Sequence, residues 1–497
     1  MKLEPIEGLR AFVHLGIVLL HGHLYTTAHM PNEGALWETY NNHWLSKVLF
    51  YQGLGVDVFF ALSGFLLAHT FIRQSSMAPP TILKFVVKRI GRIFPTLFLF
   101  LIVSLIFGDP YNGQSTEGKL MGLAAILFLV PNYLGFAYFP LALGPAWSCF
   151  VDIHSGICML VLMTLVRSGG RPNSYNMFGY ARKIRLWFSL MLVISIVIRA
   201  YCFNVTTYNE LLPPKYLTYL FFLTPRSNKW IAETYQRKYL VGYLCIIMTN
   251  SLLHADTFRA TWAPYAEFSF GHYLGNLYLP SHTRIGPFFV GGILACNLVL
   301  ANESSDKVHP VFNAKRFSYA CMAIVALSLS LVNIDWALSL PHYAQLIFTA
   351  GNRVAFSAGV AYFLFCTLVP RNHPCHWAPL RLFWSSPMWK PISAVSFTSY
   401  LFHMRIMQEI TFNTSVRNIF GLQVPTGMNP TDVLSWYYYG YHLAFVTFII
   451  TFPIATFAHW FVDVPCDAYI RSLVEGSPSN KVTGDNKANE DSTSKSQ

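Results

Sequence analysis

Residues 55–73 read GVDVFFALSGFLLAHTFIR, an apolar run interrupted by Asp57 and His69 and closed by Arg73. A helix needs about 20 mostly apolar residues to cross the hydrocarbon core of a bilayer, and this run has that length. It is continuous rather than alternating, so it is not a strand of a membrane barrel. Working outward, similar segments recur at about 11–28, 54–72, 93–107, 146–166, 186–203, 286–301, 317–335, 344–369, 395–412 and 437–461. The fold expected is all-α, a polytopic membrane helix bundle of about ten transmembrane helices. Two further apolar stretches, about 120–134 (broken by Pro131) and 239–254, spoil a clean count. Either one alone as a full span would put basic loops on the wrong side, so both are expected to be re-entrant or interfacial.

Composition agrees. Of 497 residues, 54% are hydrophobic, 16% aromatic and 12% charged, with a mean hydropathy of +0.40. Soluble domains carry about 25% charged residues. A soluble enzyme, a disordered hub and a disulfide scaffold are excluded. The 35 lysines and arginines against 23 acids give +12. In a membrane protein such an excess sits in cytoplasmic loops, and it points to the lipid bilayer rather than to a nucleic-acid partner. Basic residues concentrate at 73–92, 167–185 and 371–390. Placing all three stretches in the cytoplasm puts both termini there too, in an endoplasmic-reticulum or plasma-membrane setting. The opening MKLEPIEGLR runs into apolar sequence with no small-residue cleavage site, so a retained first span is expected. Residues 1–470 form the expected membrane domain. Residues 471–497, polar and without aromatics, are expected to be a disordered cytoplasmic tail. The sequons at Asn204 and Asn413 fall on the outer side and are glycosylation candidates; Asn302 falls inside. The nine cysteines form no CxxC pair, and His373, Cys375 and His376 lack a second cluster to complete a zinc site, so no metal is expected.

Ionisable groups inside spans are costly, and each asks for an explanation. Arg10, His14 and His21 lie at roughly 0°, 40° and 20° around the first helix, taking about 100° per residue, and form one polar stripe; His23 falls on the opposite face. From Arg10 to His21 is about 16 Å of helix, so arginine at the inner interface puts a histidine at mid-membrane or beyond. Imidazole suits general-base work near neutral pH, although a histidine hydrogen-bonded within the bundle fits the same pattern. In the second span, Ser63 and Gly64 are small enough to permit close helix packing, and Asp57 can pair with a buried histidine or arginine or cap the helix. In ILKFVVKRIGRIFP (82–95), Lys84, Lys88, Arg89 and Arg92 make a dense cationic face. Arginine forks suit phosphate oxygens, and anchoring to anionic lipid is the plain alternative. Asp152 and His154 follow Trp147; Arg284, Arg353, His403 and Asp463 lie in or beside later spans. Acids, bases and histidines scattered over most spans suit a reaction chamber or a proton-coupled transporter better than a simple pore.

Taken together, these segments resemble the acyltransferase-3 family of integral membrane acyltransferases, and within it the eukaryotic nose-resistant-to-fluoxetine-type branch. Arg10-x10-His21 is similar to the family's arginine/lysine-x10-histidine opening. GVDVFFALSGFLL resembles its second-span motif, and RIGR at 89–92 its RxxR. WSCFVD at 147–152 resembles WS-x-x-x-E with aspartate in place of glutamate, and His154 falls where a glutamine is usual. TRIGPFFVGGIL at 283–294 looks like the RIGPY-x-x-G segment of that branch. SFTSYLFH places His403, and VDVP places Asp463 in the closing E-x-P. The cysteine-rich N-terminal domain frequent in the branch has no counterpart here. The resemblance implies transfer of an acyl group, acetyl or another short chain, from acyl-CoA to a hydroxyl of a sugar, lipid or small molecule. Acyl-CoA is then a co-substrate, and no cofactor is bound. It implies Lys88, Arg89 and Arg92 on the coenzyme's phosphates, and His21 as base with Arg10, Asp152 and His403 beside it. His14, Asp57, Ser63, Arg284, Arg353 and Asp463 would then be pocket residues. A proton-coupled transporter of lipids or small hydrophobic molecules is the alternative; it would use the same buried groups without needing RIGR for coenzyme A.

Overall fold

The computed structural model describes residues 4–27, 29–30, 43, 45, 51–74, 79–106, 116–133, 141–168, 176–208, 278–302, 318, 320–325, 328, 342–373, 375–425 and 432–475. Among these residues every regular element is helical. The helices are α1 (Glu4–Thr27), α2 (Gly55–Arg73), α3 (Pro79–Ile106), α4 (Thr116–Leu127), α5 (Trp147–Ser168), α6 (Met177–Tyr208), α7 (Gly286–Ala301), α8 (His342–Leu368), α9 (Ala378–Trp384), α10 (Trp389–Phe412), α11 (Thr414–Ile419), α12 (Val433–Ala458) and α13 (Val464–Glu475). A one-turn helix, Ser281–Arg284, precedes α7, and a π-helical turn, His459–Asp463, joins α12 to α13. Five described stretches are long and apolar enough to cross a membrane: Gln52–Arg73, Ile82–Ile106, Gly144–Arg167, Met177–Phe203 and Val433–Val474. This is the make-up of a multi-pass membrane protein.

Several boundaries differ from those expected. The third span, expected from about 93, starts earlier, and the basic stretch 79–92 belongs to its helix. It is the first half of α3, opened by Pro79 and Pro80 and carried by lysine and arginine, which propagate a helix well. Segment 120–134 becomes α4, twelve residues and so about 18 Å, too short to cross. Its C-terminus closes with Val130 N–H donating to the Ala125 carbonyl and Leu129 at φ 62°, a left-handed cap in which glycine is usual. Segment 239–254 lies outside the described residues, as does most of 317–335. The last helix runs through Glu475, past the boundary expected at 470, and Asn204 falls within α6 rather than in a loop.

Contacts fix relative directions. His14 meets Ser399 and His21 meets His403, so α1 and α10 run parallel. Asp57 meets Arg284 and Phe60 stacks on Phe288, so α2 and α7 are also parallel. Arg185 meets Asn297 at one end of α6 and Arg199 meets Thr283 at the other, so α6 is antiparallel to α7. Among the described residues, α2 and α7 approach each other very closely. A Cβ on Gly64 would lie 2.2 Å from the Phe288 carbonyl oxygen, and one on Gly291 would lie 1.9 Å from that of Ala61. Without a strong hydrophobic drive between helices in lipid, such backbone proximity is what dispersion needs. Gly64→Leu should therefore force the pair apart, costing about 1–3 kcal/mol or more. A fall in melting temperature in detergent checks this, with Gly351→Ala, which opens on free space, as the neutral comparison.

Candidate active site

The two histidines of the α1 stripe face α10. His14 Nε2 lies 2.9 Å from Ser399 Oγ, and His21 Nδ1 lies 2.6 Å from His403 Nε2, the two rings edge to edge with centroids 4.9 Å apart and planes 28° apart. His403 Nδ1 lies 2.6 Å from the Tyr400 carbonyl oxygen. A carbonyl only accepts, so His403 carries its proton on Nδ1. With both rings neutral, its Nε2 then accepts from His21 Nδ1–H, and the lone pair of His21 is left on Nε2. His14 and His403 are fully buried, whereas His21 is half-buried. The chain of bonds therefore ends on Nε2 of His21, the one of these three histidines that is not fully buried. His23 turns the other way, as expected, into the rings of Tyr437 and Tyr441 on α12.

Arg89 does not join the exposed cationic face of α3. Its guanidinium reaches the Asp152 carboxylate at 2.7 Å, the Asp152 carbonyl at 3.0 Å and Ser63 Oγ at 2.7 Å, joining α3, α5 and α2. Lys84, Lys88 and Arg92 are exposed. The split follows from helix geometry, since Arg89 lies about 100° from Lys88 and its long side chain turns inward over Gly156. A Cβ at Gly156 would sit 2.3 Å from Arg89 Nε. Arg10 is half-buried, within electrostatic reach of Arg92, Glu7 and Asp152. Ser63, expected as a packing residue, is instead a hydrogen-bond acceptor; Gly64 alone makes the close approach.

Asp57, Arg284 and Arg353 meet although they come from three helical segments far apart in sequence. Asp57 lies 2.6 Å from Arg353 and 3.3 Å from Arg284, all three buried. The Arg284 guanidinium is boxed by Tyr278, Trp147 and Phe60 at 4.7, 5.2 and 5.8 Å from the ring centres. Tyr400 lies within interaction reach of Ser148, Tyr278 and Arg284, so this cluster backs on to the imidazole pair. Asp463 is a brace: Thr96 on α3 donates to it, Thr398 on α10 donates at 2.8 Å, and His459 Nδ1 lies at 3.3 Å. Asn413 is exposed and caps α11.

Sequence reasoning missed Tyr400, Ser399, Tyr278 and the threonines. Ser399 had a local signal: it precedes His403 by one helical turn, and its partner His14 precedes His21 by two. The others depend on tertiary placement.

The described residues thus form a helical membrane bundle that brings an imidazole pair close to buried arginines. The chain matches the acyltransferase domain of the acyltransferase-3 family over residues 4–463 and belongs to that family. It is 41% identical to nodulation protein 10 of Rhizobium leguminosarum bv. viciae over 96 residues, 19% of this chain and 24% of that protein. The match thus spans about a quarter of that relative's length. No solved structure matches the chain.

Asp57 is the shared counter-ion of two buried arginines, and breaking a buried pair on one side costs about 3–5 kcal/mol. Asp57→Ala should therefore unfold at markedly lower temperature than wild type, whereas Asp467→Ala, from an exposed pair on α13, should leave the melting curve in place.

Proposed function

We propose that this protein transfers an acyl group, acetyl or another short chain, from acyl-coenzyme A to a hydroxyl of a sugar, lipid or small molecule, with His21 as general base. The observation that carries the reading is the bond sequence Tyr400 carbonyl–His403–His21, which ends on the half-open Nε2 of His21. The acceptor hydroxyl gives its proton to that nitrogen as its oxygen attacks the thioester carbonyl. The tetrahedral intermediate then expels the coenzyme thiolate, which takes the proton back from the imidazolium. Throughout, His21 Nδ1–H keeps its bond to His403, which holds the ring orientation and stabilises the charged form. His403 is a positioning residue in this scheme.

The exposed cations Lys88 and Arg92 contact the donor's phosphates, with Arg10 close behind Arg92. Arg89 is reserved for Asp152 and Ser63, so its contribution is to hold α2, α3 and α5 in register beside the donor. Arg284, Arg353 and Asp57 form the rigid wall behind Tyr400. Residues 1–470 are the catalytic domain, with both termini cytoplasmic, so the donor enters from the cytoplasm. TRIGPFFVGGIL at 283–294 supports assignment to the nose-resistant-to-fluoxetine-type branch. Direct transfer from the thioester to the acceptor hydroxyl is the step proposed, with an acyl-histidine as the alternative.

Release of free coenzyme A from acetyl-coenzyme A by protein purified in detergent tests this. His21→Ala, melting as wild type does, should lose about 10²-fold or more of the rate. His403→Gln, whose amide oxygen can accept the same bond, should retain more activity than His403→Ala. A folded His21→Ala variant working at the wild-type rate would sink the proposal.

A further inference from the structure

Arg284 lies at the end of a turn of four residues, Ser281–Arg284. An α-helical bond joins an N–H to the carbonyl four residues back, so four residues close none among themselves. The turn is held from outside, one residue at a time. Ser281 Oγ lies 2.8 Å from His154 Nδ1 on α5, and Asn132 Nδ2 donates to it at 3.0 Å. The His282 ring stacks on Tyr133, centres 6.0 Å apart, and its Nε2 lies 3.6 Å from Cys202 Sγ on α6. The Thr283 carbonyl accepts from Arg199 on α6 at 3.0 Å. Arg284 meets Asp57 on α2. The contact at Ser281 has a defined direction. Asn132 Nδ2 also donates to the Leu279 carbonyl at 3.2 Å, which fixes the orientation of the amide. It therefore takes a lone pair of Ser281 Oγ, and the Ser281 proton goes to His154 Nδ1. His154 then carries its own proton on Nε2, with the Leu129 carbonyl within interaction reach. His154, Ser281 and Asn132 are all buried. With one nitrogen engaged and the other protonated, His154 has no lone pair left for proton transfer, and its work is to hold Ser281.

We propose that His154 is a positioning residue for acyl transfer: through Ser281 it sets the turn and, at the far end of the turn, the Arg284 guanidinium behind the imidazole pair. The inference rests on the acyl-transfer reading above and adds a residue to it. Arg284 lies within interaction reach of Tyr400, whose carbonyl takes the proton of His403. A fixed cation there favours the negative tetrahedral intermediate, and in a low-dielectric interior its effect depends steeply on distance. A slack turn therefore lowers turnover rather than donor binding, since the donor's phosphates are assigned to α3. The same bond steadies α5. Asp152 and His154 lie about 200° apart around that helix, so the Arg89 bridge and the Ser281 bond hold it from opposite sides.

Release of coenzyme A from acetyl-coenzyme A by the full-length protein in detergent tests this, in variants whose melting curves show them folded at the assay temperature. His154→Leu keeps much of the bulk and removes the bond. It should lower kcat several-fold and leave KM for acetyl-coenzyme A unchanged. His154→Gln should keep most of the rate, because its amide oxygen can accept from Ser281 while its nitrogen donates toward the Leu129 carbonyl. Ser281→Ala removes the same bond from the other side and takes the place of His154→Leu if that variant does not fold. The double variant should be no slower than the slower single one. A folded His154→Leu or Ser281→Ala protein with wild-type kcat overturns the assignment, as does a loss that appears in KM alone. A His154→Gln protein as slow as His154→Leu overturns it too, since the bond would then not be what matters. A wild type that releases no coenzyme A removes the acyl-transfer reading itself, and the assignment with it.

Discussion

One proton held between two imidazoles sets the geometry of the centre. His403 is fixed by the Tyr400 carbonyl of its own helix, so it has only an acceptor to offer, and α1 must present His21 Nδ1–H to it. That requirement fixes the rotation of α1 about its axis. Two turns earlier the same rotation brings His14 to Ser399, and on the far face it packs His23 among Tyr437 and Tyr441. A hydrogen bond in a low-dielectric interior is stronger than in water, and a buried donor left without a partner is costly. The chain of polar contacts therefore determines one docking of α1 that apolar packing alone would leave variable.

Charges do the same for the helices that sequence places far apart. Asp57 gathers Arg284 and Arg353, and Arg89 gathers Asp152 and Ser63. Each is a cation from one segment anchored on an anion from another, and each lies beside a glycine contact: Gly64 against Phe288 in the first case, Gly156 under Arg89 in the second. Small residues let the backbones or the guanidinium approach, and the ion pair then fixes register. Neither device alone would specify which helices meet.

The sequence was most legible where its signal is periodic. The apolar runs located α2, α5, α7 and α8 closely, and the stripe Arg10–His14–His21 foretold which face of α1 is polar. Hydropathy alone placed the start of α3 too late, where charge and helix coincide. The basic run 79–92 falls outside the apolar window, yet lysine and arginine favour helix, and two prolines open its first turn. The partners of the polar stripe were only partly legible, because His403 had no sequence feature tying it to His21 apart from the family resemblance. For Asp57 the sequence offered a buried histidine or arginine as partner without saying which: Arg284, in the turn before α7, and Arg353 on α8 are brought to it by packing, and spacing along the chain carries no information about that.

The two aspartates standing where the resembled family has glutamate can be understood from the same contacts. A shorter acid retracts its carboxylate toward its own backbone, so its partner must come closer. At Asp152 the partner does so because residue 156, one turn on, is glycine: Arg89 lies flat against α5 and bonds the Asp152 carbonyl as well as the carboxylate. At Asp463 the backbone adjusts instead. The π-helical turn His459–Asp463 adds an extra residue to the helix, and the carboxylate reaches both Thr96 and Thr398. Such π turns often sit at functional positions because they re-aim a side chain without ending the helix. In both places a short acid side chain bridges helices through a close backbone approach.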